Sequence, residues 1–277
     1  MNKLRILIAG CGDVGSALGV TLATQGHHVF GLRRTINQLP DCIHAISADL
    51  SDKDTLSDLP NVDILIYCAA ATSRSEKAYQ QAYIDGFNNI YDALPKQPKH
   101  LFFTSSTSVY GQHQHEWIDE QSSTESEQVS GQIMRQAERA VLEKGNATVV
   151  RFSGIYGPGR NHLIDRVKGG SIAREDLHYS NRIHRDDCAG VLAHLIQRVN
   201  ENQPVDTLYL ASDLNPTPIR EITVWLAEQL NIETTQAVEI RRGGSKRCNS
   251  QRLQASGYQF LYPDYKAGFA LALNEQS

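Results

Sequence analysis

Three glycines spaced G-x-G-x-x-G, at Gly10, Gly12 and Gly15, stand between an apolar run, Leu4 to Ala9, and a helical pattern, Val14 to Gln25. A buried strand that ends in such a turn lets a diphosphate approach the backbone, and the free N–H groups that open the helix favour its negative charge. Gly10 allows the tight turn, Gly12 the close approach and Gly15 the packing of helix on strand. The expected ligand is a dinucleotide, held by Gly10, Gly12, Asp13, Val14 and Gly15. An ordinary glycine turn is the competing reading, and the strand before and the helix after argue against it. Cys11 sits where a helix N-terminus would depress a thiol pKa, but a diphosphate would oppose that, so Cys11 is read as a small loop residue.

In a fold of this kind the end of the second strand selects the dinucleotide: a carboxylate binds a ribose hydroxyl, an arginine a 2′-phosphate. His28 to Leu32 reads as that strand and is followed by Arg33 and Arg34, with no acid. A guanidinium donates charge-assisted hydrogen bonds of about 1.5–3 kcal/mol each, so NADP is expected, with NAD as the alternative. Two solvated surface arginines are the other reading of that pair. Asp49 could accept from an adenine amino group and Leu50 could cover the ring, while Ala69 and Ala70 are small enough for ribose and nicotinamide to lie close. Thr104-Ser105-Ser106-Thr107-Ser108 sets five hydroxyls in a row. They can hold a carbonyl or alcohol oxygen, or close a turn on their own backbone.

The elements that must position these groups alternate. Leu4–Ala9, His28–Leu32, Ile43–Ile46, Asp63–Cys68, His100–Thr104 and Thr148–Phe152 read as strands, and Val14–Gln25, Lys77–Leu94, Glu127–Lys144 and Asp187–Val199 as helices. That order predicts an α/β fold, a Rossmann-type doubly wound parallel sheet with ligands beyond the carboxyl ends of its strands. After Phe152 the pattern loosens, so residues 1–155 are expected to bind the dinucleotide. Residues 156–277 are expected to form a smaller C-terminal substrate lobe interleaved with late sheet elements, including a helix from Ile219 to Leu230. The polar stretch Gln112 to Gln128 is expected to be a surface loop. A chain of 277 residues, 40% hydrophobic and 21% charged, can bury a large core. Its net charge of −4 offers no broad basic field, which argues against a nucleic-acid partner. Five widely spaced cysteines without C-x-x-C fit reduced thiols in the cytoplasm, and no segment approaches a membrane span.

With these residues assembled, the chain resembles the extended short-chain dehydrogenase/reductase superfamily, in its NAD-dependent epimerase/dehydratase group, over nearly its whole length. The resemblance rests on Thr104–Gly111, which ends Val-Tyr-Gly, and on Arg151-Phe152-Ser153-Gly154-Ile155-Tyr156-Gly157-Pro158-Gly159-Arg160. It also rests on Arg182-Ile183-His184-Arg185-Asp186-Asp187 and on Leu208–Ser212 followed by Pro218–Ile222. It implies a catalytic serine at Ser106, with Ser105 and Phe152 beside the cofactor. It further implies a dimer through the helices Lys77–Leu94 and Glu127–Lys144. The family's catalytic tyrosine and lysine, three residues apart on the helix after the serine loop, fall on Ser130 and Met134 when Gln136-Ala137-Glu138 is aligned with the family's Ala-Glu. Neither side chain can replace a phenol assisted by a cation. The family's preceding asparagine falls on Tyr83. The departure is similar to an atypical branch that keeps the cofactor site without that pair.

Tyr83 is therefore the candidate substitute acid, against the reading of a packed or surface tyrosine, with Tyr110 and Tyr156 behind it. His184 can titrate near neutral pH or cap its turn. His113, His115 and Glu116 lack a further acid or thiol and are not taken as a metal site. Tyr156, Arg160, His184, Lys246 and Arg247, with Arg182, Arg241 and Arg242 nearby, are expected to face a small anionic or nucleotide-linked substrate, unless the basic stretch is a solvated loop. Two functions stay open. One is an oxidoreductase or nucleotide-sugar epimerase-like enzyme with a degenerate active site; the other is a non-catalytic NADP(H)-binding, redox-sensing protein.

Overall fold

Seven strands hydrogen-bond into one parallel sheet because most of them are apolar on both faces and can be covered on both. They are β1 (Arg5–Ala9), β2 (His28–Arg33), β3 (His44–Ser47), β4 (Ile64–Tyr67), β5 (His100–Ser106), β6 (Ala147–Phe152) and β7 (Leu208–Ala211). Their order is β7-β6-β5-β4-β1-β2-β3. The computed structural model describes residues 2–174, 177–239 and 244–274. The helices are α1 (Asp13–Thr24), α2 (Glu76–Tyr79), α3 (Gly86–Ala93), α4 (Val129–Leu142), α5 (His162–Lys168), α6 (Arg185–Asn200), α7 (Ile219–Leu230), α8 (Gln251–Ala255) and α9 (Tyr265–Asn274).

Alternation along β1 shows how the layers form. Ile6 and Ile8 face one core with Leu18 and Leu22 of α1 and Leu192 of α6. Leu7 and Ala9 face the opposite core with Phe87 and Ile90 of α3 and Ile133 and Ala137 of α4. Each such side chain contributes about 1.5–3 kcal/mol by burial, so the register of the central strand is fixed from both sides. Strand order reverses between β1 and β4, which opens a crevice at their carboxyl ends. A third cluster, with Ile164 and Val167 of α5, Ile222 and Leu226 of α7 and Phe269 of α9, forms the core of the smaller lobe.

Two elements differ from the sequence expectation. The single helix expected over Lys77–Leu94 is α2, a π-helical turn at Gln80–Asp85, and α3. The hydroxyl of Tyr67 donates to the carbonyl of Ala82 inside that turn, an insertion into the helical ladder of the kind that widens it. The polar stretch expected as a loop contains a strand, Gln114–Ile118, paired in parallel with Ser245–Cys248. Buried Ile118 and Cys248 anchor it, and His115, in the left-handed region at φ 67°, sets its Nδ1 2.6 Å from the hydroxyl of Ser245.

Candidate dinucleotide and active site

The glycine turn is built by close backbone approach. Gly10 has φ +84°, and a Cβ there would lie 2.5 Å from the backbone N and Cα of Ala69, in the loop after β4. A Cβ on Gly15 would meet Ile8 Cγ2 at 3.0 Å, which is the helix-to-strand packing expected of it. Gly12 differs: its nearest neighbour would be 4.0 Å away, so its outer face is open. The N–H groups of Gly10 and Cys11 both donate to the carbonyl of Leu32, at 3.0 and 2.9 Å, and tie the turn to β2. The thiol of Cys11 is buried beneath it, and burial pushes its pKa up to about 11. Desolvation outweighs the lowering by the Ser16 hydroxyl and the Arg33 charge, as suits a small loop residue. Val14 is buried and Asp13 is exposed at the first position of α1. An open glycine face, bounded by a small residue and set against a helix N-terminus, fits a diphosphate.

At the end of β2, Arg33 donates to Gln38 at 3.3 Å and Arg34 lies 3.9 Å from Asp49. Asp49 also accepts from the N–H and hydroxyl of Ser51, at 2.9 and 2.7 Å. These bonds, with help from Arg34, hold its carboxyl below the usual range. Leu50 is half-buried, and its carbonyl accepts from Asn89 at 2.9 Å.

The hydroxyls of β5 divide. Ser106 is half-buried and caps the short turn Thr107–Val109, accepting from the N–H of Ser108 at 3.1 Å. Ser105 donates to Glu138 at 2.5 Å. Glu138 in turn takes Arg151 through both oxygens, at 2.9 and 2.6 Å, and Arg151 donates to the hydroxyl of Tyr110 at 2.9 Å. Ser105 is thus committed to a buried network beneath the loop. A Cβ on Gly131 would lie 2.4 Å from the carbonyl of Ser108, so the first turn of α4 packs directly on the serine loop. In that turn Ser130 is half-buried, and one turn later Met134 is only 2% exposed, in the core.

Tyr83 lies in the π turn with its ring 5.4 Å from Tyr79 and 6.5 Å from Phe103. Burial pushes its phenol up to about 12, opposed by a hydrogen bond with the backbone of Ala71. The group is protonated at neutral pH and stands beside the loop that holds Ala69 and Ala70.

The residues expected to face a substrate scatter. Tyr156 is buried against His184 and Phe269 and donates to the carbonyl of Asp264 at 3.3 Å. His184 is 1% exposed and caps α6 by accepting from the N–H of Asp186 at 3.2 Å. Lys246 is buried, reaches the carbonyl of Tyr110 at 3.4 Å, and has its pKa lowered by desolvation. Arg247 donates to the carbonyl of His115 at 2.8 Å, with its guanidinium 4.8 Å from the ring of Trp117 and 5.2 Å from that of Tyr179. Arg182 lies 5.6 Å over the ring of Phe269. Arg241 and Arg242 lie outside the described residues. Arg160 crosses to the glycine turn, its Nε 2.9 Å from Asp13 Oδ2, and Arg185 meets the other oxygen of Asp13 through Nη1 at 2.9 Å.

Sequence reasoning passed over Arg185, although it quoted the segment that contains it. It also passed over Asp213, which lies two residues beyond β7, 2% exposed, with Oδ1 unpartnered. Burial pushes that carboxyl up to about 8 against the pull of Arg182. Among the described residues, no helix is long and apolar enough to cross a membrane, and no three His, Cys, Asp or Glu side chains form a metal-binding group.

Comparison with known proteins agrees with this architecture. A solved structure from Methylobacillus flagellatus, described as a putative NAD-dependent epimerase/dehydratase, is 37% identical, with a TM-score of 0.86 over 99% of both chains. Protein YeeZ of Escherichia coli K12 is 25% identical over 280 residues, spanning 94% of this chain and 97% of its own. A Thermus thermophilus UDP-glucose 4-epimerase in complex with NAD shares the fold at 17% identity, with a TM-score of 0.81 over 98% of each chain. The NAD dependent epimerase/dehydratase profile matches residues 6–220, which cover β1 through the start of α7. The chain belongs to the NAD dependent epimerase/dehydratase family.

Proposed function

We propose that the protein binds a nicotinamide dinucleotide across the crevice between β1 and β4 and transfers hydride to or from a small anionic or nucleotide-linked carbonyl compound or alcohol. The observation that carries this reading is the open face of Gly12, beside a Gly10 whose Cβ would strike Ala69. Gly10, Gly12, Val14 and Gly15 would seat the diphosphate; Ala69, Ala70 and Phe152 would line the nicotinamide end, and Leu50 the adenine. When bound, the dinucleotide supplies or accepts the hydride. Ser106 would orient the reacting oxygen with its hydroxyl. Tyr83, protonated at neutral pH and with its phenol pushed further up by burial, would donate a proton to a carbonyl oxygen in reduction and take it back in the reverse step. Arg33 and Arg34 favour NADP, tempered by Asp49 beside Arg34. Substrate anions would be met by whichever of Lys246 and Arg247 presents a donor outward.

A second reading, a redox-sensing protein that binds the dinucleotide without turnover, draws on Met134. A buried thioether stands where the family resemblance would place a lysine. Titration of the purified protein with NADH and NADPH, followed by a screen of carbonyl compounds and nucleotide sugars for oxidation of the bound cofactor, tests both. Binding with turnover supports the enzyme, and binding with none across the screen supports the sensor. Absence of binding to either coenzyme removes both. Alanine at Arg33 and Arg34 should weaken NADPH more than NADH; equal losses would remove the NADP preference.

A further inference from the structure

The ion pairs of Asp13 join elements far apart in the chain at the place where the diphosphate would lie. Asp13 is the first residue of α1. Arg160 ends the turn that begins at Gly157, and Arg185 is the first residue of α6. Arg160 Nε and Arg185 Nη1 each lie 2.9 Å from a different oxygen of Asp13, and Arg185 Nε lies 2.7 Å from Asp186. The thiol of Cys68, in the loop after β4, feels the charges of both Asp13 and Arg160. Asp13 directly follows Gly12, so the bridge stands at the glycine turn. All three side chains are partly exposed, 36% for Asp13, 40% for Arg160 and 21% for Arg185. Pairs so wetted contribute little to folding, about 0–1 kcal/mol each.

A carboxylate at this position opposes a diphosphate unless cations offset it. Arg160 spends Nε on Asp13, while its two Nη nitrogens carry no hydrogen bond among the described residues. A guanidinium anchored by one edge presents the other as a fork that matches phosphate oxygens. Resting on the dinucleotide reading above, we propose that Arg160 is a diphosphate-binding residue, held over the glycine turn by Asp13, which acts as its anchor rather than as a ligand and is steadied in turn by Arg185. The C-terminal half thus supplies the positive side of the cofactor site, and Arg160 belongs to the dinucleotide rather than to the substrate.

Calorimetric titration of the full-length protein with ADP-ribose, which keeps the diphosphate, and with adenosine by competition, which lacks it, tests the proposal. Arg160→Met should weaken ADP-ribose at least tenfold and change adenosine less than twofold, with Arg160→Lys in between. Thermal melts of the same samples report whether the variants fold. ADP-ribose affinities within twofold of the unaltered protein would overturn the proposal, as would equal losses for the two ligands. If the unaltered protein binds neither NADH, NADPH nor ADP-ribose, the dinucleotide reading falls and this one with it. If it binds them and the variants bind equally well, only this inference falls.

Discussion

Arg151 grips Glu138 with a two-point contact, Nε to Oε1 at 2.9 Å and Nη2 to Oε2 at 2.6 Å, and both side chains are almost fully buried. The pair links β6 to α4, and through Ser105 and Tyr110 it fixes the underside of the serine loop. Breaking a buried pair strands one charge, at a cost of about 3–5 kcal/mol, whereas replacing both partners by apolar groups is often neutral. Glu138→Gln should therefore lower stability by about that amount in urea unfolding, and Glu138→Leu combined with Arg151→Met by much less. A double variant as unstable as the single one would show that the pair does more than compensate its own burial.

The glycine turn separates folding from binding. Gly10→Ala places a side chain at φ +84° against the backbone of Ala69, so it should cost about 1–3 kcal/mol and disturb cofactor binding as well. Gly12→Ala meets nothing closer than 4.0 Å. It should melt within a few degrees of the unaltered protein yet lose dinucleotide affinity by tenfold or more, because the added methyl occupies the open face.

Asp213 predicts a pH dependence of stability. Its folded pKa, about 8 against an ordinary 3.8, means that the folded state holds a proton the unfolded chain releases. The favourable contribution is complete below about pH 4, declines as pH rises and is gone above about pH 8. Asp213→Asn removes this loss. The variant should gain stability relative to the parent as pH rises from 4 to 8, on the order of several kcal/mol at most, read from urea midpoints at each pH. A difference that stays flat over that window would show that the carboxyl titrates normally.

On the proposed reading, Tyr83 and Ser106 are expected to bear on turnover rather than on cofactor uptake. On any carbonyl substrate found by screening, Tyr83→Phe should lower kcat by about 10²–10⁴-fold and Ser106→Ala by a comparable factor, with NAD(P)H affinity unchanged. With its phenol pKa near 12, Tyr83 should leave the reductive rate flat between pH 6 and 9. Full activity in Tyr83→Phe would transfer the proton donor to another group.

The sheet was legible because most of its strands are buried on both faces and read as apolar runs. The glycine turn was legible because its spacing stands between an apolar strand and a helix, and Gly15 packs on Ile8 of that strand, although Gly10 is required by Ala69 in a distant loop. Helix α7, Ile219–Leu230, falls where its periodicity places it. What escaped depended on partners distant in the chain. Gln114–Ile118 is polar enough to read as a loop, and its strand partner arrives about 130 residues later. The π turn owes its shape to a hydroxyl on Tyr67, which no periodicity in Lys77–Leu94 reveals. Site residues fared similarly. Glycines announce themselves by type, but an arginine near an expected pocket gives no sign of which carboxylate will hold it. Arg160 joins Asp13 across 147 residues of sequence.

Strand β7 comes late in the chain and lies at the rim of the sheet, pairing Leu208–Ala211 with Val149–Phe152 of β6. A gene product ending at residue 155 would expose β6 as a raw apolar margin, an invitation to self-association. Any exchange of the later part of the chain between relatives must therefore carry this strand with it, so that the rim of the sheet travels with the residues that follow.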